Sequence, residues 1–235
     1  MKIGIIGAGA IGGTLAKHLV ARGHDVVIAN SRGPATLADV AKETGAIAVT
    51  ATEAAQGRDL LVVTIPQKAV PDLPQGFLAD VPKDVVVIDT GNYYPVRDGH
   101  LVPLHEGVPE SEWVGTYLER PVVKAFNNIA AASLRDKAMP AKSPGRIALP
   151  VAGDDAAAKA KAMALVEEIG FDAVDAGSIA ESWRQEPGTP CYGTDLDAAG
   201  VKAALAAATH DGRADCRASA DGMLRSYLAS LSPQP

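Results

Sequence analysis

Short apolar runs alternate with stretches of helical spacing along most of this chain. Lys2 to Ile6 is the first such run, and its nearly continuous apolar character suits a strand buried on both faces of a parallel sheet. Leu15, Leu19 and Val20 then fall on one face of a helix, and Val26 to Ala29 forms a second run. The rhythm continues with strands expected over Ala46 to Val49, Leu60 to Ile65, Val85 to Asp89, Val122 to Phe126, Arg146 to Val151 and Phe171 to Val174. Helices are expected from about Thr36 to Glu43, Thr52 to Gln56 and Pro109 to Leu118, and from a cap at Asp154 to a stop at Gly170. Tyr93 to Gly107 reads as a long polar connection, and only Ser232-Pro-Gln-Pro235 reads as a frayed tail.

The turn after the first run carries the first chemistry. Gly7-Ala-Gly9-Ala10-Ile11-Gly12 follows a strand and opens a helix, so each glycine has its own task. Gly7 permits the tight turn, Gly9 lets backbone approach a pyrophosphate, and Gly12 lets helix pack on strand, while free N–H groups at the helix start face the phosphates. Together with the alternation, this predicts an α/β chain with a Rossmann-type, doubly wound, mostly parallel sheet of about eight strands. Residues 1–176 would form the dinucleotide-binding domain, and residues 177–235 a loop and small helical cap making substrate or oligomer contacts.

The end of the second strand speaks to the choice of dinucleotide. An acid there would bind a ribose 2′-hydroxyl, but this chain has Asn30-Ser31-Arg32 and no acid between Asp25 and Asp39. A guanidinium grips a 2′-phosphate through paired charged hydrogen bonds, so NADP(H) is expected. The central strands end in Thr64-Ile65-Pro66, Thr90-Gly91-Asn92 and Asn127-Asn128, at the carboxyl ends that line the ligand crevice of such folds. These residues also suit ordinary turns, but beside the glycine turn they read as cofactor neighbours. The proline- and glycine-rich loop with Trp183, Cys191 and Tyr192 reads as a lid over a flat substrate, with a structural or oligomer contact as the alternative.

Composition narrows the partners. At 235 residues, with a net charge of −6, the chain has no basic footprint for nucleic acid. No apolar stretch is long enough to span a bilayer, and the N-terminal run fits the nucleotide turn better than a signal peptide. Cys191 and Cys216 lack metal or redox spacing and suggest reduced thiols, hence a cytoplasmic protein without metal. His18 and His24 read as surface residues, His100 and His105 have no assigned place, and Lys124 reads as a structural strand residue.

Five segments carry a family resemblance: GAGAIGG at 7–13, NSR at 30–32, VVTIP at 62–66, DTGN at 89–92 and KAFNNI at 124–129. With them the chain resembles the NADP-dependent oxidoreductases of the deazaflavin coenzyme F-420. The resemblance implies hydride transfer between NADPH and a 5-deazaflavin stacked in the crevice of a homo-oligomer, dimer or tetramer. It further implies Ile11 near the pyrophosphate, Ser31 and Arg32 at the 2′-phosphate, Thr64, Ile65 and Pro66 along the nucleotide, and Asn127, Asn128 and Ile129 near the rings. Thr36 stands where the family often has a basic residue, and the 182–195 loop departs from the family pattern. Ring-to-ring hydride transfer needs positioning and dryness rather than a nucleophile, with Asn127 or Asn128 as orienting groups. The alternatives are NADPH-dependent reduction of a flavin, quinone, imine or carbonyl, or a redox sensor that holds NADP(H) without turnover.

Overall fold

The computed structural model describes residues 1–231, so the Ser232-Pro-Gln-Pro235 tail lies outside the described residues. In chain order the elements are β1 (Lys2–Ile6), α1 (Ala10–Val20), β2 (Asp25–Ala29), α2 (Ala38–Thr44), β3 (Ile47–Ala48), α3 (Ala51–Ala55), β4 (Leu60–Val63) and β5 (Val86–Asp89). They continue with α4 (Pro95–Asp98), α5 (Val102–His105), α6 (Glu110–Leu118), β6 (Val123–Lys124), α7 (Ala131–Asp136), β7 (Ala148–Val151), α8 (Ala156–Ile169), β8 (Asp172–Asp175), α9 (Ala198–Ala207) and α10 (Arg213–Leu231).

Six parallel strands pair in the order β3-β2-β1-β4-β5-β6. This is the Rossmann order, with its switch point between β1 and β4. The remaining two strands, β7 and β8, do not extend that sheet as expected but form a parallel pair of their own. The reason lies at β6, which is two residues long. The chain returning along β7 runs the opposite way there, and Lys124 and Ala152 exchange a single antiparallel pair of bonds of 2.8 and 3.0 Å.

Strand alternation builds a core on each face of the sheet. Ile3, Ile5, Val26, Ile28, Leu60, Val62 and Ile88 pack with Leu15 and Leu19 of α1 and Leu165, Val166 and Ile169 of α8. Ile6, Val27, Ala29, Leu61, Val63 and Val87 pack with Ala54 and Ala55 of α3 and Trp113, Val114 and Leu118 of α6. A third cluster joins Ala148 and Val174 to Cys191, Val201 and Leu205, seating α9 on the two-stranded sheet.

Several boundaries differ from the pattern. The connection after Tyr93 contains α4 and α5. The cap of α8 is Asp155, whose carboxylate accepts from the Ala158 N–H at 2.7 Å. Asp154 instead accepts from the Ile179 N–H at 2.9 Å, tying the segment after β8 to the end of β7. His18 is half-buried, with Nε2 at 2.9 Å from the Leu134 carbonyl, and burial lowers its pKa. His24 is covered as well, with Nε2 at 3.0 Å from the Glu168 carboxylate. Neither histidine is a free surface group.

Asp155→Ala should lower the unfolding free energy by about 1 kcal/mol in a urea titration, the usual value of a side-chain cap. An unchanged transition would mean that the cap does not hold the start of α8.

Candidate functional site

The glycine turn closes as three separate constraints demand. Gly7 has φ +114°, a region closed to most side chains, and a Cβ there would lie 2.0 Å from the Thr64 carbonyl oxygen. A Cβ on Gly12 would lie 1.9 Å from the Gly7 carbonyl, so only glycine lets α1 start against β1. Gly9 differs, because its missing Cβ points into open space with nothing within 4 Å. Gly9 is the N-cap of α1, and the first turn carries no acid. The free N–H groups of that turn therefore border an opening suited to an anion.

That opening is a cleft of about 690 Å³ along the carboxyl ends of β1, β2 and β4. Gly7 and Gly9 form one side, Asn30, Ser31 and Arg32 another, and Thr64, Ile65 and Pro66 a third. The Asn30 carboxamide shapes the second side by accepting from the Arg32 N–H at 3.0 Å and donating to the Thr36 hydroxyl at 2.9 Å. Thr36 is thereby used to brace the turn. Arg32 is exposed, and its guanidinium has no partner among the described residues. A cradle for pyrophosphate and a free cation at the adjoining strand end fit NADP(H).

The other candidates gather at the ends of β5 and β6, in a bonded cluster outside the cleft lining. Asn127 donates to the Asn92 carboxamide at 3.1 Å and to the Gln185 carbonyl at 2.7 Å, and it accepts from the Gln185 amide at 2.9 Å. Asn92 donates in turn to the Asn127 carbonyl at 2.9 Å. Asn127 thus has its hydrogen bonds filled from within. Asn128 is buried with neither carboxamide atom partnered among the described residues, while its carbonyl accepts from the Gly193 N–H at 2.7 Å. Gln67, just past Pro66, is also fully buried with both amide atoms unpartnered. Such orphaned groups cost roughly 1–3 kcal/mol each and mark where a ligand or ordered water belongs. Thr90, Gly91 and Ile129 are buried beside them.

The 182–195 loop is packed into the body of the protein. Trp183 is 6% exposed, meets His210 edge-on at 5.4 Å and lies under the Arg184 guanidinium at 4.4 Å. Cys191 sits in the third cluster, and burial pushes its thiol up to about 11. Both face the interior, so neither stands over the crevice as a lid. Tyr192 alone of the three reaches toward the strand ends, with its hydroxyl 2.5 Å from that of Tyr94.

Beneath this cluster lies a network that sequence reading missed. Lys124 is fully buried, donates to the Gly91 carbonyl at 3.1 Å and faces Glu110 at 3.3 Å and Asp89 at 4.0 Å. Asp89 accepts from the Gly91 N–H and the Ser111 hydroxyl at 2.9 and 2.6 Å. Glu186 accepts from the Glu110 N–H at 2.8 Å and from Arg213 at 2.7 Å. Burial and then the Glu186 charge push the Glu110 carboxyl up to about 8, outweighing the pull of Lys124. Position told little here: Glu110 opens a helix, where an acid usually faces water, and its partners lie far along the chain.

Strand order and glycine turn define the class, a Rossmann-type nucleotide-binding protein. Residues 2–93 match the family described as NADP oxidoreductase, coenzyme F-420-dependent. The chain is 32% identical to hypothetical protein SMa0349 from Sinorhizobium meliloti, with a TM-score of 0.71 over 83% of this chain and 95% of that one. A structure from Arthrobacter sp. FB24, described as a candidate F-420-dependent NADP reductase, is 28% identical with a TM-score of 0.65, covering 76% and 86% of the two chains. Protein YjhV of Escherichia coli (strain K12) is 41% identical over 99 residues, which are 42% of this chain and 65% of that relative. The chain belongs to the NADP oxidoreductase, coenzyme F-420-dependent family. Among the described residues, no helix is long and apolar enough to cross a membrane.

The raised Glu110 carboxyl carries a pH signature. The folded chain holds a proton there that the unfolded chain gives up near 4.5, so the associated stability is present below that pH and lost as pH rises through about 8. Glu110→Gln, which stays neutral throughout, should show a shallower loss of thermal midpoint across that window. Parallel curves for the two proteins would mean that Glu110 is ionised when folded.

Proposed function

We propose that this protein transfers a hydride between NADPH and a 5-deazaflavin of the coenzyme F-420 type. The observation that carries the cofactor is the cleft that ends at the exposed Arg32 guanidinium, unpaired among the described residues, with the glycine turn opposite. In this reading Gly7, Gly9, Ala10, Ile11 and Gly12 hold the pyrophosphate, and Asn30, Ser31 and Arg32 hold the 2′-phosphate. Thr64, Ile65 and Pro66 border the nucleotide, and Thr90, Gly91 and Asn92 continue that border toward the rings. Residues 1–176 serve as the nucleotide-binding unit. Residues 177–235 serve as a cap whose Gln185 and Gly193 brace the acceptor end at Asn127 and Asn128. The deazaflavin rests on the family match and on the likeness to the Arthrobacter protein.

Bound NADPH would supply the hydride. The chain's part is to fix the nicotinamide end against an acceptor and keep water out, and the buried amides suit that task. Unpartnered Gln67 and Asn128 offer donors and acceptors to a ring edge, while Asn127 keeps the two strand ends in register. A second reading keeps the cofactor and changes the acceptor to an imine or carbonyl. The paired hydroxyls of Tyr94 and Tyr192 favour it, because such acceptors need a committed proton donor.

Arg32→Ala should raise the KM for NADPH by roughly ten- to a hundredfold, the value of losing charged hydrogen bonds, and leave the value for NADH nearly unchanged. Equal effects on the two would sink the 2′-phosphate assignment. NADPH oxidation followed with coenzyme F-420, FMN, a quinone and a cyclic imine as acceptors tests the reaction. Turnover with the deazaflavin alone supports the first reading, turnover with the imine alone moves the function to the second, and NADPH binding without turnover on any acceptor removes both.

A further inference from the structure

We propose that Tyr94 is the proton donor of this site, with Tyr192 as the positioning residue that holds its oxygen. The inference rests on the hydride-transfer reading above and supplies the step that reading lacks. The two hydroxyl oxygens lie 2.5 Å apart, and neither has another partner among the described residues. Two phenols bring two hydroxyl protons, and their shared bond uses one. The second proton has no acceptor among the described residues and is free to go to a ligand.

Position ties the pair to the acceptor end. Tyr94 lies two residues beyond Asn92, whose carboxamide is bonded to Asn127 in both directions. Tyr192 precedes Gly193, whose N–H binds the Asn128 carbonyl at 2.7 Å. The hydroxyl pair therefore joins the chain leaving β5 to the loop that braces the end of β6. Both segments thus bond to the Asn127–Asn128 stretch, where Asn128 is buried with its carboxamide unpartnered among the described residues.

The pair is asymmetric. When Tyr192 donates, loss of the Tyr94 proton leaves a phenolate that still accepts one strong hydrogen bond. The Arg97 guanidinium lies 5.3 Å from the centre of the Tyr94 ring and favours that anion. Burial pushes both phenols above their ordinary range, so each holds its proton at neutral pH and serves as an acid rather than a base. The charged groups acting on the pair are Arg97, whose cation opposes the rise, and Glu110 and Asp98, whose anions add to it.

The step balances for an acceptor with a carbon–nitrogen or carbon–oxygen double bond, the conjugated deazaflavin ring included. A hydride from the nicotinamide bonds to the electrophilic carbon, and the displaced electron pair moves to the heteroatom. That heteroatom takes the Tyr94 proton as the O–H bond breaks, and water restores the proton by way of Tyr192. NADPH is oxidised and the double bond is reduced.

Tyr94→Phe and Tyr192→Phe in the full chain test this, with NADPH as donor and coenzyme F-420 or a cyclic imine as acceptor. Tyr94→Phe should lower kcat by about a hundredfold or more, the usual worth of a general acid, and remove the alkaline fall of kcat. NADPH affinity, read by fluorescence, should stay at the wild-type value, and the thermal midpoint should fall only by the few degrees expected for one unpaired Tyr192 hydroxyl. Tyr192→Phe should cost about tenfold, the value of one hydrogen bond to a developing charge. In the protein without cofactor it should also move the alkaline absorbance titration of Tyr94 upward. Unchanged kcat and pH profile in Tyr94→Phe would overturn the assignment and leave the hydride-transfer reading intact. So would a loss of NADPH affinity and thermal midpoint matching the loss of kcat, which would make the role structural. An unmoved titration in Tyr192→Phe would overturn the pairing. A wild type that binds NADPH and turns over neither acceptor would overturn the reading and this assignment together.

Discussion

Lys124 carries its ammonium where water does not reach, and much of the molecule is arranged to compensate it. An isolated buried cation costs several kcal/mol, and removing one partner of a buried pair costs about 3–5 kcal/mol. The compensation comes from three places: Asp89 at the end of β5, the Gly91 carbonyl just beyond it, and Glu110 at the start of α6. Satisfying one amine therefore fixes a strand end, the turn after it and a helix start. The chain continues outward through Glu186, which takes Arg213 at 2.7 Å and Arg217 at 3.5 Å. In this way α10 is bound to the β5–β6 side of the sheet.

This dependence sets the glycine-turn cleft apart from the neighbouring cluster at the ends of β5 and β6. The cleft wall is local and made of backbone: Gly7 turns, Gly12 yields to the helix, and Gly9 leaves its side open. The cluster is assembled from distant segments by side-chain hydrogen bonds, with Asn92, Asn127 and Gln185 forming one connected group. The turn tolerates change elsewhere in the chain. The cluster depends on every segment that reaches it, including the loop before α9.

The difference explains what could be read in advance. Apolar runs and a glycine turn are short-range signals, so the class of fold, the order of elements and the tight turn between β1 and α1 were legible from neighbouring residues. The division into sheets of six and two was not, because it depends on the direction in which β7 meets β6 at a single bridge. The cap of α8 was misplaced by one position because Asp154 and Asp155 are both competent caps. Only the bond to the Ile179 N–H decides which of them is free to serve. For a related reason the 182–195 loop follows the structural alternative rather than the lid. Prolines, glycines and aromatics suggest an exposed lid, yet Glu186 and Gln185 are drawn inward by Arg213 and Asn127, and Trp183 follows them. Buried partners far apart in sequence leave no local periodicity to read.

The same network reaches the phenols. Glu110 is held near neutrality by burial and by Glu186, and its charge raises the pKa of both Tyr94 and Tyr192. While Glu110 keeps its proton, Tyr94 is the stronger acid; once Glu110 ionises, losing the Tyr94 proton creates a second anion in a poorly solvated space. Stability and proton donation then share one controlling group and move the same way with pH. A carboxyl fixed to complete the Lys124 pairing thus also sets the acid strength of the hydroxyl at the acceptor end. That coupling is a physical reason for Glu110, one of whose carboxyl oxygens has no partner among the described residues, to persist in a core that could have been packed with apolar side chains.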